Sequence, residues 1–158
     1  MIGNFSTVNE DVVIGENVKI FHYVNLYGCT IGDNTKIGSY VEMQAGAKVG
    51  RNCKISSHTF VCDGVTIGDN CFIGHGVMFI NDKNPKSVNS SGELAGENDW
   101  TLEPTTVGSN VSIGTGAVIM CGVNIGDNSV IGAGAVVTKD VGKSCTVVGV
   151  PARIVKRG

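Results

Sequence analysis

Large aliphatic side chains recur along this chain on a six-residue beat. Ile14, Ile20, Leu26, Ile31, Ile37, Met43, Val49, Ile55, Val61, Ile67 and Ile73 mark a first run, and Val107, Ile113, Ile119, Ile125, Ile131 and Val137 a second. Only the step from Leu26 to Ile31 is shortened within a run, to five residues. The residue after the aliphatic is often Gly, as in IGENVK, IGDNTK, VGRNCK, IGDNCF and IGDNSV. Three residues after it, Asn17, Asn34, Asn52, Asn70, Asn110 and Asn128 alternate with Gly46, Gly64, Gly76, Gly116, Gly122 and Gly134. Asn and Gly accept left-handed backbone angles most readily, so a turn recurs with every repeat. Four residues after the aliphatic comes a small or apolar side chain such as Val18, Ala47, Cys53, Cys71 or Ala117. A helix of 3.6 residues per turn would scatter these aliphatics over every side. Antiparallel sandwich strands have no reason to keep so regular a beat. The pattern predicts an all-β coil of short strands and sharp corners, with like residues stacked between coils by parallel pairing.

The beat is interrupted once at length. After Phe79 the next aliphatic is due near position 85 but appears at Val107, a delay of 22 residues. A loop at about residues 82–106 is therefore inserted without loss of register, polar and turn-rich, with Trp100 and Leu102 as candidate anchors. Long insertions in repeat folds commonly build a binding face. One face of the coil also differs from the others: Gln44, Cys62, Ile80, Met120 and Thr138 stand where Gly is usual. Such a face can meet a neighbouring subunit or line a groove.

Composition narrows the class. The 158 residues form a single domain, 1–158, and 23 glycines with only 3 prolines and no three-residue period exclude collagen. A net charge of −2 argues against a general nucleic-acid binder. No apolar run is long enough to span a membrane, and no secretory signal is visible. Six cysteines without a CxxC pair then read as free thiols in a cytoplasmic protein, with no metal cluster. Cys53 and Cys71 share an inward column.

Few residues carry chemistry. His22, His58 and His75 can each move a proton. His58 stands in SSHTF at a corner position where Asn or Gly is usual, and His22, Ser39, Ser57 and His75 occupy equivalent positions of their repeats. The three histidines are too far apart in sequence for a close zinc-ligand pair. Asn81 and Asp82 leave the last regular coil before the loop and can bind a carbonyl, hydroxyl or ammonium group, or else simply form a turn. Glu42 and Asp63 read as solvated. A basic C-terminal segment, 139–158, carries Lys139, Lys143, Arg153, Lys156 and Arg157 against Asp140, a patch suited to phosphates.

These motifs together, VEMQAGAKVGRNCKISSHTFVCDGVTIGDNCFIGHGVMFINDKNP, LAGENDW, IGAGAVVTKDVG and VVGVPARIV, resemble the hexapeptide-repeat acyltransferases. The nearest likeness is to N-acetyltransferases of nucleotide-linked amino sugars. The resemblance implies a left-handed parallel β-helix with 18-residue coils and a homotrimer with active sites between subunits. Acetyl-CoA would be the acyl donor, without a metal. Its pantetheine arm would run past Gly116, Ala117, Gly134 and Ala135, with Lys139 and Arg153 toward its phosphates. A dTDP- or UDP-amino-deoxysugar would bring its amine near Asn81 and Asp82, with His75, His58 and Asn81 as candidate catalytic residues. The reaction would be direct amine attack on the thioester. The alternatives are O-acetyl transfer to a small hydroxyl substrate and a non-catalytic scaffold.

Overall fold

A computed structural model describes residues 1–158. The strands, mostly two residues long, stack into three sheets that form the faces of one parallel β-helix. The first face carries Thr7–Val8, Asn25–Leu26, Glu42–Met43, Phe60–Val61, Met78–Phe79, Val118–Ile119 and Val136–Val137. The second carries Val13–Ile14, Thr30–Ile31, Lys48–Val49, Val65–Ile67, Thr105–Val107 and Asn124–Ile125. The third runs from Lys19–Ile20 through Lys36–Ile37, Lys54–Ile55, Phe72–Ile73, Ser112–Ile113 and Val130–Ile131 to Cys145–Val148. Arg153–Arg157 closes the third face as an antiparallel edge strand.

The pairing register is the sequence period made visible. Val61 pairs with Met43 and Ile73 with Ile55, each 18 residues apart. Across the shortened corner the spacing is 17, as in Ile31 with Ile14 and Met43 with Leu26. Across the loop it is 40, as in Ile67 with Val107 and Phe79 with Ile119, one coil plus the 22-residue delay. The insertion thus leaves the stack intact. Regular pairing resumes at Thr105, a residue before the expected end of the loop. Thr105 already pairs with Val65, and its buried hydroxyl donates to the carbonyl of Met120 at 3.4 Å.

From Ile20 onward every residue on the aliphatic beat is buried, while Ile14 at the open lower end is 38% exposed. These side chains and the small residues four positions on form one continuous core of 34 residues. Burying each Ile contributes about 1.5–3 kcal/mol. The few polar groups inside are satisfied: Thr35 Oγ1 donates to Gly50 O at 2.8 Å and accepts from Cys53 N at 3.0 Å.

The corner between the second and third faces uses Asn17, Asn34, Asn52, Asn70, Asn110 and Asn128, all at positive φ. Their amides form ladders: Asn52 Nδ2 donates to Asn70 Oδ1 at 3.1 Å, and Asn70 Nδ2 to Asn110 Oδ1 at 3.2 Å. The glycines directly after the aliphatics answer a different need. A Cβ on Gly32 would lie 2.6 Å from the Gly50 carbonyl carbon of the next coil. Close stacking of coils, not a special φ, excludes a side chain there.

All six cysteines are buried and unpaired. Burial pushes the Cys62 thiol up to about 12 and the Cys29 thiol to about 11. Cys71 is raised by its hydrogen bond with Cys53 and by burial. Both Cys53 and Cys71 donate their S–H to backbone carbonyls, Gly68 and Gly108, at 3.1 Å. None is an available nucleophile.

Candidate functional site

The first face is bordered by two unlike corners. On one side, where the third face turns into the first, the outermost residues of successive coils are Phe5, Tyr23, Tyr40, His58, Gly76, Gly116 and Gly134, all at positive φ. On the other side, the chain leaves the coil after Ile80 into the inserted loop.

The first corner holds the histidines. His75 is exposed, and its Nδ1 lies 2.8 Å from Ser57 Oγ one coil below. Its Nε2 has no hydrogen-bond partner within the chain. In the tautomer whose Nδ1–H donates to Ser57, Nε2 keeps the lone pair that a proton acceptor needs. His58, next to Ser57, is exposed at φ 62° and stacks on Tyr40 with centroids 4.8 Å apart and ring planes within 10°. His22 is instead tied to the backbone, its Nδ1 accepting from Asn4 N at 2.9 Å. It serves the lower end of the coil.

Above His75 the same corner opens out. A Cβ on Gly76, Gly116 or Gly134 would meet nothing within 4 Å. Gly116 and Gly134 are exposed, but Ala117 and Ala135 are fully buried in the core. Their side chains fill the core, so only their backbone can border a ligand at this corner, beside the exposed glycines. Along the face beside this corner the outward residues are Phe60, Met78, Val118 and Val136, an apolar strip where Asn25 and Glu42 stand lower down. Arg153 and Lys139 are exposed at the upper end. Arg153 Nη1 donates to Ala152 O at 2.8 Å, and Lys139 has no partner. Of the remaining basic residues, Lys143 pairs with Asp127 at 3.2 Å.

Asn81 and Asp82 occupy the opposite corner. Asn81 Nδ2 donates to Asp63 O at 3.3 Å, and Asp82 Oδ1 accepts from Asn84 N at 2.8 Å, closing an Asx turn. They line a cavity of about 1270 Å³ within the loop, together with Lys83, Trp100 and Glu103. Lys83 and Glu103 form an ion pair at 2.6 Å in its lining. Leu102 anchors the loop by covering Gly64: a Cβ on that glycine would lie 2.9 Å from Leu102 Cδ1.

Within one chain, then, His58 and His75 share one corner on adjacent coils and Asn81 is held apart. Five residues of extended strand separate Gly76 from Asn81, about 16 Å at 3.3 Å per residue. Sequence reading placed Ser57 in the right column without assigning it to His75. It also missed the rings beneath His58, although an aromatic residue at three successive corner positions was visible at Tyr23, Tyr40 and His58.

With this geometry in hand, comparison with known proteins defines the class. The signature described as bacterial transferase hexapeptide (six repeats) matches residues 28–63, 46–81 and 104–139, more than half of the chain. The chain belongs to that hexapeptide-repeat family. The galactoside O-acetyltransferase of Escherichia coli (strain K12) is 38% identical over 64 residues, covering 40% of this chain and 32% of that protein. Among solved structures, a point mutant of AntD, an N-acyltransferase from Bacillus cereus in complex with dTDP and coenzyme A, superposes with a TM-score of 0.79 at 22% identity. It covers 92% of this chain and 84% of that one. PerB from Caulobacter crescentus, in complex with CoA and GDP-perosamine, gives a TM-score of 0.65 at 21% identity over 96% of this chain and 57% of that one. At these identities the two structural likenesses show a shared fold. The matched stretches span a third or less of the curated relatives' own length. No helix is long and apolar enough to cross a membrane.

Proposed function

We propose that this chain is an acetyl-CoA-dependent N-acetyltransferase acting on the amine of a nucleotide-linked amino sugar. The observation that carries the reading is the Ser57–His75 pair, set directly below the open glycine corner of Gly116 and Gly134. Acetyl-CoA would lie with its pantetheine arm along that corner, against the backbone of Gly116 and Gly134 and the apolar strip of Val118 and Val136. Lys139 and Arg153 would meet its phosphates.

A neutral amine attacks the thioester carbonyl; the N–C bond forms as the C–S bond breaks. His75 Nε2 accepts the proton the amine sheds and returns it to the leaving thiolate, while Ser57 holds the ring. Holding both reactants in one cleft supplies much of the rate. Six buried cysteines favour this direct transfer over an acyl-enzyme.

Asn81 and Asp82 would bind the sugar. Because they lie across the first face from His75, the site is completed when the loop of one subunit meets the histidine corner of a neighbour, as in a homotrimer.

O-acetyl transfer to a small hydroxyl is the second reading, favoured by the match to a galactoside O-acetyltransferase. Purified protein incubated with acetyl-CoA and a panel of dTDP- and UDP-amino sugars, galactosides and serine separates the two. The expected outcome is thiol release with an acetylated amine; acetylated hydroxyls alone would establish the second reading, and no turnover on any member would leave a scaffold.

A further inference from the structure

Four aromatic rings stack in one column along the corner that ends at the histidines. Phe5 and Tyr23 lie 5.5 Å apart with planes 8° from parallel, Tyr23 and Tyr40 5.1 Å and 6°, and Tyr40 and His58 4.8 Å and 10°. The steps match the rise of one coil, so each ring sits on the ring of the coil below. Burial does not account for the column: Phe5 is 80% exposed, Tyr23 47% and Tyr40 53%. Backbone preference opposes it, because all four residues are at φ between 57° and 62°. A bulky residue in the left-handed region is a genuine outlier, and the equivalent position of the neighbouring corner uses Asn on six successive coils. Strain that is repeated at Phe5, Tyr23 and Tyr40 and leads to one histidine points to that histidine.

That residue is His58. Its ring is covered on one side by Tyr40, and on the other the next coil offers only Gly76, where a side chain atom would meet nothing within 4 Å. No hydrogen bond within the chain restrains either of its nitrogens. Stacking alone therefore sets where the imidazole points, one residue from Ser57 and beside the His75 it holds.

We infer that Tyr40, backed by Tyr23 and Phe5, is a positioning residue for His58, holding its imidazole at the substrate edge next to His75. His58 supplies a second hydrogen-bonding group for the acceptor at the level of Gly76, and the column fixes its place. This role rests on the function proposed above, but the stacking itself can be tested without turnover.

The test joins nuclear magnetic resonance with a double-mutant cycle. The His58 ring protons, assigned by their loss in His58→Asn, are expected upfield from the Tyr40 ring current. They should shift downfield in Tyr40→Leu and stay in Tyr40→Phe. In turnover, Tyr40→Leu is expected to lower kcat by about tenfold or more, as small misplacements of a working group do. Tyr40→Phe should restore kcat to within about twofold, and Tyr40→Leu should add nothing in the His58→Asn background. Unmoved His58 resonances in Tyr40→Leu, or independent multiplication of the two losses, would overturn the inference. If Tyr40→Leu melts early, Tyr23→Leu, one coil further from His58, is read the same way. Absence of turnover in the unmodified protein would instead remove the proposed activity and leave the resonance result to decide the stacking.

Discussion

Ser57 Oγ and His75 Nδ1 meet at 2.8 Å although they are 18 residues apart in sequence. One coil separates them, and the parallel register sets them side by side as surely as it sets Ile55 beside Ile73. The same spacing that builds the core also builds the pair.

If His75 Nε2 handles the amine proton, His75→Asn should lower kcat by about 10²–10⁴-fold, the usual worth of a general base. Ser57→Ala should keep the imidazole but release its orientation, with a smaller loss of about tenfold. Steady-state rates of coenzyme A release on the best acceptor check both, and an unchanged rate in His75→Asn would move the proton to the substrate itself.

Asn70 combines a left-handed backbone with two ladder hydrogen bonds, to Asn52 and Asn110. Asn70→Ala should destabilise the chain by about 1–3 kcal/mol from the left-handed penalty and the lost amide bonds. Asn70→Gly should recover the backbone part and lose only the ladder. Equilibrium denaturation of both variants measures the split; equal losses would mean that the backbone angle is not strained.

Asp127 is held below the usual carboxylate range by the backbone N–H of Ser109, at 2.9 Å, and then by Lys143. Its depressed folded-state pKa means the unfolded chain takes up the proton first. Its contribution to stability is therefore complete above the ordinary aspartate range and fades as pH falls through the folded value. Asp127→Asn should be less stable than the parent at pH 7 and converge on it in strong acid. Melting curves from pH 2 to pH 7 check this, with parallel curves as the contrary outcome.

Leu102 fastens the inserted loop over Gly64. Leu102→Ala should quicken proteolytic cleavage within the loop and raise KM for the acceptor. It should leave the melting temperature nearly unchanged, because the coil beneath pairs without the loop, as in Phe79 with Ile119. A large fall in melting temperature would make Leu102 part of the scaffold instead.

The coil was legible from Ile20 to Val137 because each side chain on the beat meets its own kind one coil away, so a local pattern repeats as a contact. The 22-residue delay likewise revealed an insertion in register, since a coil that slipped would expose its core. The site was less legible. His58 stood out as a departure from Asn and Gly at a known corner position, and His75 shared a column with Ser57. The turn at Asp82 and the inward column of Ala117 and Ala135 were legible, but the partner that closes the turn, Asn84, was not.

Sequence by itself determined the six-residue period and the inward and corner columns, because parallel stacking converts spacing into proximity; three faces to the coil was what the family resemblance implied. Only the tertiary structure decided how those columns are used. It joined Ser57 to His75, stacked Phe5, Tyr23 and Tyr40 beneath His58, and set Asn81 across a face from both. Such facts depend on side-chain rotation and on which corner a column occupies, and a one-dimensional repeat carries neither.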